Sequence, residues 1–289
     1  MWNIFKKAAF KFFGNSLDFL VKYFEDIKED LEKSGLQISL HEYVYIMIFC
    51  TFLTFIIEFP LFAFIAGLFF PPIFAFFISL TTSIVICLGI FFFFYTYPAF
   101  LTSKRAKEIE AALPFVSIYL SSLAASGMPP ASMFKLLSEF KEYKEVSKEA
   151  YKIWRDIDYF GMSIDQAIRK AVLKTPSKEF KEMLLGLLSV LSSGVDLTNY
   201  FMQKSKEFMS LYRRKLESFS KTLTLLVEIY LTLITVGSIF FIVLSVVMSA
   251  FSPGSAETLL LIQFFIVFLL LPLISIGFII GIRLLSPGM

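Results

Sequence analysis

Two glutamates stand out because of where they lie. Glu58 is the sole formal charge between residues 43 and 100, and Glu228 is one of two between residues 222 and 282, the other being Glu257. An ionisable side chain inside so apolar a stretch is costly and marks a functional position by default. Three roles are open: a structural one, with Glu228 facing the bundle interior or snorkelling and holding the spans together; contact with a partner inside a membrane; or stations that pass a proton, with Glu58 as the second. The remaining inventory is thin. His41 is the only histidine, and Cys50 and Cys87 both fall in apolar runs. A histidine-dependent triad, a His/Cys metal cluster and a disulfide framework are therefore not expected. No Gly-rich phosphate loop and no dinucleotide fingerprint occurs. The chain is read as having no catalytic residue, no metal site and no cofactor, and as not being an enzyme.

The elements around the glutamates follow from hydropathy. The chain has 289 residues, 57% of them hydrophobic and only 18% charged, and it contains 37 phenylalanines. About 20 apolar residues cross the hydrocarbon layer, and each of the two apolar blocks is long enough for two spans. Phe69-Phe70-Pro71-Pro72 divides the first block into spans near 42–68 and 73–100. Ser252 to Ser255 divides the second into spans near 222–250 and 257–284. Pro60 and Pro272 lie inside spans, where neighbouring helices can satisfy the freed carbonyls.

Residues 101–221 carry 20 Lys and Arg against 14 Asp and Glu, the N-terminal segment has six basic residues, and both short connections between spans have none. The positive-inside rule puts both termini and the middle segment in the cytoplasm of a multi-pass cell-membrane protein. Basic clusters stand where spans meet that side: Lys104, Arg105 and Lys107, then Arg213, Arg214 and Lys215. Topology accounts for them, with acidic lipid or a partner as further contacts. The net charge of +3 asks for no nucleic acid, and no basic and aromatic interleaving points to one.

Ser39 and Glu42 have capping-box spacing at the start of the first span. Upstream, Leu17, Leu20, Val21, Phe24, Ile27 and Leu31 repeat with helical period, so residues 2–33 read as an amphipathic helix closed by Ser34-Gly35. Trp2, Phe5, Phe12 and Phe13 with Lys6, Lys7 and Lys11 suit either the membrane interface or packing on the middle segment. That middle segment repeats one joint three times, in "SGMPPASMF", "FGMSIDQAI" and "SGVDLTNYF". Gly127, Gly161 and Gly194 each fit the left-handed residue that closes a helix. Pro129 and Pro130, Ser163, and Asp196 then open the next one. Six helices in three hairpins are expected from about 105 to 221. The run Glu139 to Asp156 alternates in sign and reads as a solvated helix face.

The resulting order is 1–41, an N-terminal amphipathic helix; 42–100, two transmembrane helices; 101–221, a helical bundle; and 222–289, two more transmembrane helices. The fold class is an all-α membrane protein: four transmembrane helices with a cytoplasmic six-helix bundle between spans two and three. This layout resembles the type II secretion F-domain proteins, the inner-membrane platforms of type IV pili, type II secretion, Tad pili and the archaellum. The resemblance lies in "ALPFVSIYLSSLAASGMPPASMFKLLSE", in "DYFGMSIDQAIRKAVLKTPSKEFKEMLLGLLSVLSSGVDLTNYFMQKSKE" and in "LLVEIYLTLITVGSIFFIVLSVVMS". It covers roughly residues 100–250 and is nearest the archaeal branch, although this chain holds one module where many members hold two.

The resemblance implies a non-enzymatic platform whose middle domain anchors a hexameric secretion ATPase. Its spans would hand pilin-like subunits to a growing filament, and Glu228 and Glu58 would meet them in the lipid bilayer. A single module implies a homodimer or pairing with a second F-type module. A small transporter or channel using Glu58 and Glu228 is the alternative.

Overall fold

The computed structural model describes residues 18–36, 38–251, 261 and 264–285. The positions Trp2 to Leu17 of the expected N-terminal helix lie outside the described residues. Among the described residues every regular element is helical. In order these are α1 (Asp18–Val21), a 3-10 turn (Lys22–Phe24), α2 (Asp26–Ser34), α3 (Leu40–Phe69), α4 (Pro72–Ala125) and α5 (Pro130–Glu139). There follow α6 (Lys144–Asp158), α7 (Ile164–Lys174), α8 (Lys178–Ser193), α9 (Leu197–Phe251), a π-helical turn (Ile266–Leu270) and α10 (Leu271–Leu285). Among the described residues, four stretches are long and apolar enough to cross a membrane: Leu40–Phe69, Pro72–Ala125, Leu197–Met248 and Ile266–Arg283. Large apolar side chains along them stand exposed, Phe64 at 72% and Ile73 at 71% among them, as lipid-facing residues do and a water-facing surface does not. The chain is an all-α, multi-pass membrane protein.

The chain divides into two compact units, Met1–Phe201 and Met202–Met289, and α9 begins in the first and lies mostly in the second. In the first unit α3 and α4 form an antiparallel hairpin. The Ser39 hydroxyl accepts from the Glu42 N–H at 3.3 Å, while the Ser39 N–H donates to Glu42 Oε2 at 3.2 Å, so the capping box opens α3. Phe70 and Pro71 break the backbone, and Pro72 starts α4 at a position where its missing N–H costs nothing. Pro98 lies within α4 and leaves the carbonyl four residues earlier without its helical donor. That carbonyl, on Phe94, accepts from the fully buried Tyr43 hydroxyl at 2.6 Å.

α4 does not stop near residue 100. It runs 54 residues, about 80 Å at 1.5 Å per residue, from the apolar hairpin into the charged middle of the chain. Its far half turns Ile109, Leu113, Val116 and Leu120 inward. Helices α5, α6 and α8 pack on it, and α7 packs on α6 and α8. Met133, Phe134 and Leu137 of α5, Ile153 of α6, Ile168 of α7, and Phe180, Met183 and Leu187 of α8 complete the core. Each such side chain contributes about 1.5–3 kcal/mol on burial.

Two expectations change here. The N-terminal element is not one helix, because a 3-10 turn separates α1 from α2. Its described part packs on the foot of the hairpin: Val21 against Val44 and Met47, Ile27 and Leu31 against Tyr43. The run Glu139 to Asp156 is also more than a solvated face, since Glu145, Glu149 and Asp156 are buried.

In the second unit, α9 extends without a break past residue 221 to Phe251. Pro272 is the second residue after the π-helical turn; widening the turn there makes room for a residue that cannot donate and whose ring crowds the preceding turn. Ser275 donates to the Leu271 carbonyl at 3.0 Å, so the Tyr230 hydroxyl, 3.0 Å from Ser275 Oγ, donates to it. The rings of Tyr230 and Phe278 meet with centroids 5.0 Å apart.

Candidate functional site

Where the first unit passes from apolar hairpin to charged helices, Arg105 ties three elements together. From α4 its Nε donates to Glu145 Oε2 at 2.6 Å and its Nη2 to Glu149 Oε1 at 2.8 Å, both on α6. Its Nη1 donates to the Lys33 carbonyl at the end of α2, and Thr102 donates to the Asp30 carbonyl at 2.8 Å. The last carbonyls of a helix lack internal donors and favour positive charge, so a buried cation there is well placed. Gly35 closes α2 with φ +80°, and a Cβ at that position would stand 3.0 Å from Arg105 Nη1. The close approach needs glycine.

Lys148, largely exposed, and Lys152, partly exposed, pair with Glu145 and Glu149 from the outside. Burial pushes the Glu145 carboxyl up, but hydrogen bonds from Lys148 and Arg105 outweigh it and hold the group below the ordinary glutamate range. Asp156 behaves alike: burial raises it, and Lys170 at 2.6 Å with Arg155 at 3.0 Å brings it below the usual aspartate value.

Sequence reasoning placed Arg105 in a membrane-proximal basic cluster with Lys104 and Lys107. Only the two lysines are exposed; Arg105 is turned inward. Its carboxylate partners went unnoticed because they sit 40 and 44 residues away. A signal was present, however: Val146, Ala150 and Ile153 are the inward positions of α6, and Glu145, Glu149 and Asp156 border them.

The three joints carry left-handed glycines, Gly127 at φ 73°, Gly161 at 63° and Gly194 at 69°. They connect α4 to α5, α6 to α7 and α8 to α9. Pro129 is the N-cap and Pro130 the first residue of α5. Ser163 caps α7 by accepting from the Gln166 N–H, and Asp196 Oδ1 accepts from the Thr198 N–H at 2.9 Å. At the end of α5 away from the first joint an aromatic surface forms across α4 and the α5–α6 connection. Phe115 stacks on Tyr143, Phe140 lies against both Tyr119 and Tyr143, and Phe115, Ile118 and Phe140 are exposed.

Of the two membrane glutamates, Glu228 is exposed on α9, as are Arg213, Arg214 and Lys215 nearer its start. Glu58 is partly buried on α3, with Oε2 unpartnered. They lie in different units. Gly277 and Gly281 have the GxxxG spacing that permits close helix approach, and among the described residues a Cβ built at either meets nothing within 4 Å.

Residues 117–245 match the family described as type II secretion system (T2SS), protein F. Over this stretch the chain is similar to type II secretion F domains. The match begins in α4, takes in all three glycine joints and Glu228, and ends within α9; Glu58 and Arg105 fall outside it. An uncharacterized protein of Methanocaldococcus jannaschii is 30% identical over 136 residues, which are 47% of this chain and 22% of the relative. Flagella accessory protein J of the same organism is 27% identical over 183 residues, which are 61% of this chain and 32% of that protein. The aligned part thus spans a third or less of the curated relatives it matches. No solved structure matches the chain. The F-domain match and the flagella accessory relative make part of the chain similar to secretion and filament-assembly proteins.

Proposed function

We propose that the chain is the non-enzymatic membrane platform of a type IV pilus-, archaellum- or type II secretion-like machine. Its charged middle helices lie in the cytoplasm, with both termini on that side, and engage a hexameric secretion ATPase. Its spans contact pilin-like subunits as these leave the bilayer for a filament, with Glu228 on the lipid-exposed face of α9 meeting them. A second copy, or a separate F-type module, completes the assembly. The observation that carries this reading is the F-domain match itself, which covers both the jointed helices and the third span. The basic excess of residues 101–221 supports the orientation.

The test is capture of the partner ATPase by the full chain held in lipid nanodiscs. Binding in the micromolar range or tighter is expected, weakened when Phe115 and Phe140 are both replaced by serine. Absence of binding at high micromolar concentration, with both proteins folded, would exclude the ATPase part of the reading.

A further inference from the structure

Two buried polar atoms in the apolar hairpin of α3 and α4 have no hydrogen-bond partner among the described residues: Glu58 Oε2 and Ser83 Oγ. Ser83 is fully buried. The hairpin's register brings them to one level. The Cys87 thiol contacts the Thr51 carbonyl at 3.7 Å. From Cys87, Ser83 lies one turn back on the same face of α4; from Thr51, Glu58 lies two turns forward on the same face of the antiparallel α3. A helical side chain slants toward its own N-terminus, so the Glu58 carboxyl returns about one turn, to the level of Ser83.

Around this level lie more oxygens. Thr54 and Ser79 use their hydroxyl protons on the carbonyls of Cys50 and Phe76, both at 2.9 Å, which leaves oxygen lone pairs free to accept. What the hairpin lacks is positive charge. From residue 43 to residue 100 no Lys, Arg or His occurs, and apart from Glu58 the titratable groups of the two packed faces are the thiols Cys50 and Cys87 and the tyrosines nearer the foot. An uncompensated carboxylate at this depth is costly, so its counter-charge has to come from solution. A carboxylate with hydroxyl oxygens suits a hard, small cation.

We propose that Glu58, together with Ser83, binds a sodium ion inside the α3–α4 hairpin. The bound ion neutralises Glu58 and bridges two helices that otherwise meet through apolar side chains. No second carboxylate lies in the hairpin to pass it on, so the site holds the ion and does not conduct it. This assignment is independent of the platform reading and survives its failure.

The full chain in liposomes, treated with dicyclohexylcarbodiimide and analysed by peptide mass spectrometry, tests it. The reagent modifies an intramembrane carboxyl that no metal cation occupies, so it should label Glu58 when sodium is absent. Sodium chloride should protect Glu58 roughly tenfold where N-methylglucamine chloride does not. Ser83→Ala should weaken binding about fivefold, the equivalent of one hydrogen bond. Glu58→Gln should abolish labelling at this position. Labelling that is indifferent to sodium, or absent from Glu58 under every condition, overturns the proposal.

Discussion

The Tyr43 hydroxyl donates at 2.6 Å to the carbonyl of Phe94, the group that Pro98 leaves without a helical donor. One side chain of the first span thereby repairs the backbone of the second, at a depth where water offers no substitute. Tyr43→Phe should lower the stability of the purified protein by about 1–2 kcal/mol, the cost of a buried unsatisfied carbonyl. Pro98→Ala restores a donor four residues after Phe94, so in that background the Tyr43→Phe penalty should shrink. Thermal melts of the four proteins of this cycle, in one detergent, provide the check.

Arg105 is a single cation serving two buried carboxylates and a helix terminus. Arg105→Met keeps much of the stem but leaves Glu145 and Glu149 inside without their central partner. The expected loss is about 3 kcal/mol or more, seen as a large fall in melting temperature. Arg105→Lys should recover only part, since a point charge cannot reach both carboxylates and the Lys33 carbonyl in a fixed fork. A triple replacement by apolar residues at 105, 145 and 149 should be far milder than Arg105→Met alone.

Glu145 and Asp156 are held below their ordinary values in the folded protein. In mild acid the unfolded chain therefore binds protons that the folded chain does not. Their stabilisation is complete above the unfolded carboxyl values, about pH 4, and is lost as pH falls through the lower folded ones. Melting temperature should be flat in this respect near neutrality and drop in the acid range. Replacing Glu145 by Gln should lower the neutral plateau and make the acid decline shallower.

Tyr200 donates to the Met183 carbonyl at 2.6 Å and lies over Gly186, where a Cβ would come within 2.4 Å of its hydroxyl oxygen. Gly186→Ala should cost about 1–3 kcal/mol through overpacking, although alanine is the better helix former. Tyr200→Phe removes the atom that clashes, so the double variant should be more stable than Gly186→Ala alone. Denaturation monitored by circular dichroism distinguishes the two.

Glu228→Gln keeps the shape and removes the charge. The protein should insert and purify as before, while filament assembly in the native host falls severalfold. Unchanged assembly would reduce Glu228 to a residue of folding or insertion.

Much of the architecture was legible because it depends on local chemistry. The capping box at Ser39 and the double proline at residue 71 act within a few residues of themselves, as do the left-handed glycines at 127, 161 and 194. The boundaries expected near residues 100 and 221 are different. Composition changes there, but a helix leaving lipid for water keeps the same backbone bonds, so α4 and α9 continue. The Arg105 cluster stayed hidden for another reason: its members are scattered over three helices, and alternating charge in α6 looks the same whether its acids face water or an arginine. Glu58 and Glu228 were conspicuous from the start, but only packing tells them apart, one half enclosed against α4 and the other standing outward.

Pro98 and Pro114 interrupt the hydrogen-bond ladder of α4 on either side of Arg105. Mechanically the long helix is then three rods in series: one in the apolar hairpin, one clamped by the arginine, one inside the jointed core. Bending is cheapest where a rung is absent, so strain applied at the distal end would collect at the two prolines. A deflection of about 5° at Pro98, carried along the roughly 40 Å to Ala125, displaces that end by about 3–4 Å.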